Sequence, residues 1–296
     1  MTYPRSHLVD SSLPGFYHIV SRCVRRSWLC GVDSETGQSY EHRRGWIERR
    51  LESLANLFAI EIYAYAVMSN HYHLVIHVDP QESQSWSDAE VAQRWIDINP
   101  PRIFGEIDQC ARQSEIAKVL GDSMKLGLYR QRLGSLSWYM RFLNHPIACR
   151  ANLEDGCKGH FWESRFKSHA LLDEAAVIAC MAYVDLNPVR AKIARKLSEC
   201  DYTSVKRRLK SASNEVQPFG TKPPRVSPRL NLTKHAYLLY LQKTGLLAPS
   251  RPPPDPLLQA RVISMASYQR AFGSSQAIAE WISKIGQQRT RGIALP

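Results

Sequence analysis

Two histidines one residue apart, His71 and His73, sit in AYAVMSNHYHLVIHVDP (residues 64–80), a run that otherwise has the composition of a buried strand. Side chains on a strand alternate between faces. The two imidazoles therefore project to the same side, with about 6.5–7 Å between their Cα atoms, close enough to grip one metal ion. His77 shares their parity but lies about 13 Å beyond His73 along the strand, too far to join them. A His-x-His pair also arises as ordinary polar residues of a strand, so it needs further partners before it signifies chemistry. In MAYVDLNPVRA (residues 181–191), Tyr183 and Asn187 are four residues apart, on one helical face and about one turn from each other. The amide oxygen of Asn187 is a hard ligand that could complete a His, His, Asn triad. Positions would stay open for water and a phosphate oxygen, as Mg²⁺ or Mn²⁺ prefers. Tyr183 would then stand beside the metal. A phenol is a weak nucleophile in water, and a neighbouring cation favours its phenolate and polarises the phosphate it attacks. The alternative is that Tyr183 only packs and Asn187 only caps a helix terminus before Pro188.

The elements that must position these groups are legible in the hydrophobic pattern. GFYHIVSRCV (15–24), aromatic and β-branched after a Pro-Gly turn, reads as a first strand. Between Ser39 and Phe58, apolar residues at Trp46, Ile47, Leu51, Leu54, Ala55 and Phe58 recur as on an amphipathic helix. AIEIYAYAVM and YHLVIHV follow as two strands joined tightly at Asn70-His71, an antiparallel hairpin. Residues 80 to 130, charged and helical around Asn99-Pro100-Pro101, read as an insertion on the core. Helical periodicity returns from Arg130 to about Asn144, GHFWESRFKSHALLD reads as another strand, and a last core helix starts behind the N-cap Asp173 and runs to Asn187, where Pro188 stops it. The order β-α-β-β-α-β-α predicts an α+β fold, with a ferredoxin-like four-stranded antiparallel sheet and helices on one face. From about Val216 the composition turns Pro-rich, in QPFGTKPPRVSPR and LAPSRPPPDP, with helical patterning between and beyond. The expected division is a core domain over 1–215, with its helical insertion at about 80–130, and a linker with a helical extension over 216–296.

Composition narrows the partners. Lys and Arg outnumber Asp and Glu by 39 to 27 in 296 residues, a net charge of +12 that favours a polyanion, nucleic acid foremost. No apolar run of about 18 residues and no charged-then-apolar leader is visible, so a soluble, unexported, cytoplasmic protein without membrane contact is expected. The seven cysteines are scattered, with no C-x-x-C pair, and are expected to be reduced thiols. Arg190, Lys192, Arg195 and Lys196 follow the tyrosine helix. Arg165 and Lys167 alternate with Trp162 and Phe166, and Arg22, Arg25 and Arg26 follow the first strand. Each is a candidate phosphate contact, the aromatics candidate stacking platforms, against the plain reading of solvated charges and core rings.

YAYAVMSNHYHLVIH (63–77), followed by AYVDLNPVRAKIA (182–194), resembles the single-tyrosine HUH transposases, specifically their REP-associated tyrosine transposase branch. HUH denotes histidine, a bulky hydrophobic residue and histidine, and His71-Tyr72-His73 fits it. FYHIVSRCV, FWESRFKSHALL and DYTSVKRR extend the resemblance over roughly residues 14 to 210. It implies a DNA transposase and single-strand endonuclease with a ferredoxin-like HUH core, associated with the nucleoid. His71, His73 and Asn187 would be the ligands of Mg²⁺ or Mn²⁺, and Tyr183 the nucleophile that forms a 5′-phosphotyrosine and frees a 3′-OH. Its implied substrate is single-stranded DNA beside imperfect hairpins. Relatives act as monomers or homodimers, and a monomer is favoured here. The insertion and the tail exceed the compact family core. The competing readings are a hairpin-DNA-binding protein without turnover and a metal-dependent hydrolase. The latter needs further ligands, and His145, His160, His169 and His235 show no recognisable metal spacing.

Overall fold

The structure is a computed structural model describing residues 13–24, 28–33, 35–216, 218–219, 230–247, 255–267, 269–284 and 292–295. Strand β1 (Gly15–Arg22) leads to helix α1 (His42–Ala55), then to β2 (Ile60–Val67) and β3 (His71–Val78). All of β2 and all of β3 but His71 are buried, so these strands are continuous apolar runs in a sheet covered on both sides. The insertion follows as α2 (Pro80–Ser85), α3 (Asp88–Asp97), a small hairpin of β4 (Arg102–Ile103) and β5 (Glu106–Ile107), α4 (Gln109–Leu120) and α5 (Ser123–Leu133). Its helices start where the sequence offers acceptors for unpaired backbone N–H groups: Asp79, Asp108 and Asp122 cap three of them, and Ser87 with Glu90 forms a reciprocal capping box. Eight acidic and six basic residues over 80–130 give the insertion a net charge of −2 in a chain of +12, so the basic excess lies elsewhere.

The core resumes with α6 (Leu136–Glu154), β6 (Lys167–Leu171) and α7 (Glu174–Asp185). β1 pairs antiparallel with β3 on one side and β6 on the other, giving the order β2-β3-β1-β6. Tyr17 and Ile19 of β1 and Tyr72, Leu74 and Ile76 of β3 pack with α1, α6 and the insertion. Phe16 and Val75, on the opposite parity, pack with α7. The antiparallel sheet is thus sandwiched, with α1 and α6 beneath it and α7 above. Buried Arg43 clamps the lower layer, donating to Glu154 at 2.8 Å and to Asp155, both at the end of α6.

Two expectations are corrected. The helix behind Asp173 ends at Asp185, and Pro188 does not stop it. It lies within a further helical turn, α8 (Asn187–Arg190), at a position where a missing N–H costs nothing. The sheet is also not limited to four antiparallel strands. After α9 (Ser204–Lys210), α10 (Lys234–Lys243) and α11 (Pro256–Ser264), short strand β7 (Ala271–Gly273) pairs parallel with β6. Beyond α12 (Ser275–Lys284), β8 (Gly292–Ala294) pairs parallel with β7. These strands satisfy the outer edge of β6, where the N–H groups of Ala170 and of Leu172, just past the strand, donate to the Arg270 and Phe272 carbonyls. The edge of β2 is covered likewise, Phe219 N–H donating to Ile62 at 2.7 Å and Val67 N–H to Tyr202 at 3.1 Å. All seven cysteines are free thiols, and among the described residues no helix is long and apolar enough to cross a membrane.

Candidate active site

The sheet register decides which side chains meet. Val20 lies opposite His73, Arg22 opposite His71, and His18 opposite His169 of β6. His18, His71, His73 and His169 therefore share the face that α7 covers. Above them the apolar helix α7 carries Tyr183, and Asn187 follows one turn later at the start of α8. The Asn187 amide nitrogen reaches His73 Nε2 at 3.2 Å across 114 residues of chain. The His73 ring stands edge-on to those of His71 at 4.8 Å and Tyr183 at 5.5 Å. Arg190 holds its guanidinium 4.6 Å over the Tyr183 ring. The groups line a cavity of about 270 Å³ that also includes Arg22 and, from the C-terminal segment, Met265 to Ser267.

One residue between the tyrosine and the asparagine sets the roll of α7. Asp185 is fully buried on the side away from the cavity and accepts from Ser204 Oγ, from Val205 N–H at 3.0 Å and from Tyr237 Oη at 2.7 Å. The first two lie at the N-terminus of α9, whose dipole suits an acceptor there. Burial nonetheless raises the Asp185 carboxyl above the usual carboxylate range, against the opposing pull of Arg208 and of its three donors.

The imidazoles are neutral and oriented. Burial, then the neighbouring charge of Arg22, lowers His71 to about 4. Burial also pulls His73 and His18 well below the ordinary value, and adjacent histidines push the same way. His169 is lowered by burial, and its Nδ1 donates to the Gln269 carbonyl. His71 Nδ1 meets Asn70 Oδ1 at 2.6 Å and His73 Nδ1 meets His18 Nε2 at 3.0 Å. Each of the paired histidines is thus held by its Nδ1, which leaves Nε2 for a ligand, the usual arrangement of metal-binding imidazoles. Rotating the Asn187 amide by 180° presents its oxygen where its nitrogen now lies. Among the described residues no group of three or more drawn from His, Cys, Asp and Glu alone is arranged to hold a metal ion.

Of the candidate phosphate contacts, Arg22 and Arg190 line the cavity. Arg165, Lys167 and Lys192 are exposed outside its lining. Arg25 lies outside the described residues, as does Arg26. Phe166 is buried, and Trp162, donating to the Asn144 carbonyl at 3.0 Å and edge-on to Tyr72, is half-buried, so both rings serve the core. His77 sits away from the cavity, 3.5 Å from the Glu61 carboxylate and against the Phe16 ring. His18 and His169 are additions that sequence reasoning does not single out. The alternation of His18, Val20 and Arg22 is legible in the sequence, but the register that sets His18 beside His73 is not.

No protein-family model and no curated protein matches this sequence. Among solved structures the chain is similar to that of a REP-associated tyrosine transposase bound to a REP hairpin. Identity is 15%, the TM-score is 0.37, and the alignment covers 77% of this chain and all of that one.

Proposed function

We propose that this protein is a DNA transposase of the single-tyrosine HUH type, which cleaves and rejoins single-stranded DNA beside imperfect hairpins with Tyr183 as the nucleophile. The observation that carries the reading is the meeting of Tyr183 and Asn187 with His71 and His73 in one cavity, from segments that the sequence keeps 114 residues apart. The motif resemblance supports it. So does the order β2-β3-β1-β6, with α1 and α6 on one face, which is the ferredoxin-like arrangement expected of an HUH core.

Neutral His71 and His73, each held at its Nδ1, and the amide oxygen of Asn187, once that amide turns from the bond its nitrogen makes to His73 Nε2, suit Mg²⁺ or Mn²⁺. A divalent cation bound there would polarise the scissile phosphate and offset the charge that gathers on it. Tyr183 Oη attacks phosphorus, its bond to phosphorus forms as the P–O3′ bond breaks, and the phenol proton is matched by the one the departing 3′ oxygen takes up. Arg190, over the tyrosine ring, and Arg22, at the cavity wall, bind the phosphate and hold it in line. A 3′-OH later attacks the 5′-phosphotyrosine link and returns the phenol. Bond energy is conserved, so no nucleotide cofactor is consumed. The protein acts as a monomer in the cytoplasm.

Incubation with a library of single-stranded DNA hairpins in Mg²⁺ or Mn²⁺ should give an adduct that survives denaturing electrophoresis. Tyr183→Phe should abolish it, and an adduct that persists in that variant refutes the assignment.

A further inference from the structure

Two buried imidazoles lie in contact in the cavity wall, and only one of them belongs to the HUH pair. His18, 2% exposed, places Nε2 3.0 Å from Nδ1 of His73, which is 4% exposed, and the two rings stack at 5.2 Å with 15° between their planes. We propose that His18 is a positioning residue, which fixes the tautomer and the ring orientation of His73 and so prepares it to bind the cation. The proposal rests on the reading of His73 as a ligand.

Between two neutral imidazoles one nitrogen must donate and the other accept. A cation at His73 Nε2 takes that lone pair, so the His73 proton must be on Nδ1. The same tautomer receives the Asn187 amide N–H at Nε2, 3.2 Å away. His73 Nδ1–H then donates to His18 Nε2, and His18 carries its own proton on Nδ1. That atom is buried and has no hydrogen-bond partner among the described residues. A histidine retained only for packing would not need to leave a donor unsatisfied, and an apolar side chain on this strand would fill the volume without that cost. The role mirrors that of Asn70, whose side-chain oxygen holds Nδ1 of His71 at 2.6 Å. One acceptor thus stands behind each imidazole of the pair.

The test compares His18→Gln, whose amide reaches the place of Nε2, with His18→Asn, which is polar but too short, and His18→Leu. Long-range ¹⁵N–¹H spectra of the histidine side chains in cation-free protein report the His73 tautomer directly. Wild type and His18→Gln should show the proton on Nδ1, whereas His18→Asn and His18→Leu should show it on Nε2 or divided between the nitrogens. Mn²⁺ binding, read by paramagnetic resonance, should weaken about 10- to 100-fold in the Asn and Leu variants and return to within about 3-fold of wild type in the Gln variant. If the leucine variant does not fold, the Asn and Gln pair carries the comparison. An unchanged His73 tautomer and Mn²⁺ affinity in His18→Asn would overturn the proposal. Failure of the wild type to bind Mn²⁺ overturns the cation reading itself, and in that event the tautomer spectra still decide whether His18 governs His73.

Discussion

Replacing Asp185 with alanine should destabilise the protein strongly, although the residue lies on the far side of α7 from the proposed chemistry. Three donors lose their acceptor. Ser204 Oγ has a second acceptor in the Tyr65 carbonyl at 3.3 Å and turns to it, but Val205 N–H and Tyr237 Oη keep none among the described residues. Two buried donors left unpaired cost about 1–3 kcal/mol each, or about 2–6 kcal/mol together. Part of this is offset, because burial already raises the Asp185 carboxyl and its removal relieves that desolvation. The expected net loss is about 2–4 kcal/mol, a fall in Tm of about 3–6 °C for a chain of this size. Asp185→Asn keeps one oxygen for Ser204 and Val205 and should lose about half as much. The pH dependence has a defined sign. A carboxyl whose folded value is raised keeps a proton that the unfolded chain has released. Its contribution to stability is therefore full below about pH 4 and falls as pH rises. The advantage of wild type over Asp185→Asn should thus be larger at pH 4 than at pH 7. Urea unfolding followed by both tryptophan fluorescence and circular dichroism measures each difference, provided the two transitions coincide. A loss below about 0.5 kcal/mol in the alanine variant would refute the role given to Asp185.

Arg22→Ala and Arg190→Ala should each weaken single-stranded DNA binding and reduce the slope of log affinity against log salt by about 0.7, the value for one fewer phosphate neutralised. Arg112→Ala, which breaks only a pair with Asp97 at 2.6 Å within the acidic insertion, should leave that slope unchanged in a fluorescence anisotropy titration. In cation-free protein, stability should fall as pH drops from about 6.5 towards 4, because the unfolded chain takes up protons that the buried histidines refuse. His71, lowered to about 4, accounts for about 3 kcal/mol at most. The urea midpoint of His71→Gln should therefore decline less steeply over that range than that of wild type, and equal slopes would contradict the burial of this imidazole.

The strands β1, β2 and β3 are visible in the sequence as short runs of apolar, β-branched and aromatic residues, and the helix α1 by the recurrence of its apolar positions. His71 and His73, being two apart on one strand, and Tyr183 and Asn187, one turn apart on a helix, disclose their shared faces by local geometry alone. What stays hidden depends on register and on distant contacts. His18 needs the pairing of Val20 with His73, and His169 the pairing of β6 with β1. Asp185, inside the very motif that reveals the tyrosine, gives no sign of its role, since Tyr237 lies 52 residues further on. Three-residue strands such as β7 and β8 are too short to show a period, so the tail reads only as a linker with helices. Pro188 reads as a stop because proline breaks helix interiors, whereas at the first turn of a new helix it is well accommodated.

The closure of the β6 rim of the sheet by late chain bears on how the protein is made. Until the β7–β8 pair lies along β6, a nascent or truncated chain exposes a row of unpaired backbone groups on that strand, whereas the rim of β2 is already held by Tyr202, Ser204 and Arg208 and gains one further bond from Phe219. Such a rim recruits strands from neighbouring molecules. A version cut after α9 would keep every proposed ligand and the nucleophile and yet precipitate or exchange strands with its copies. Recombinant production is therefore best begun from the whole chain, with shortening confined to the hairpin of β4 and β5, whose removal does not uncover β6.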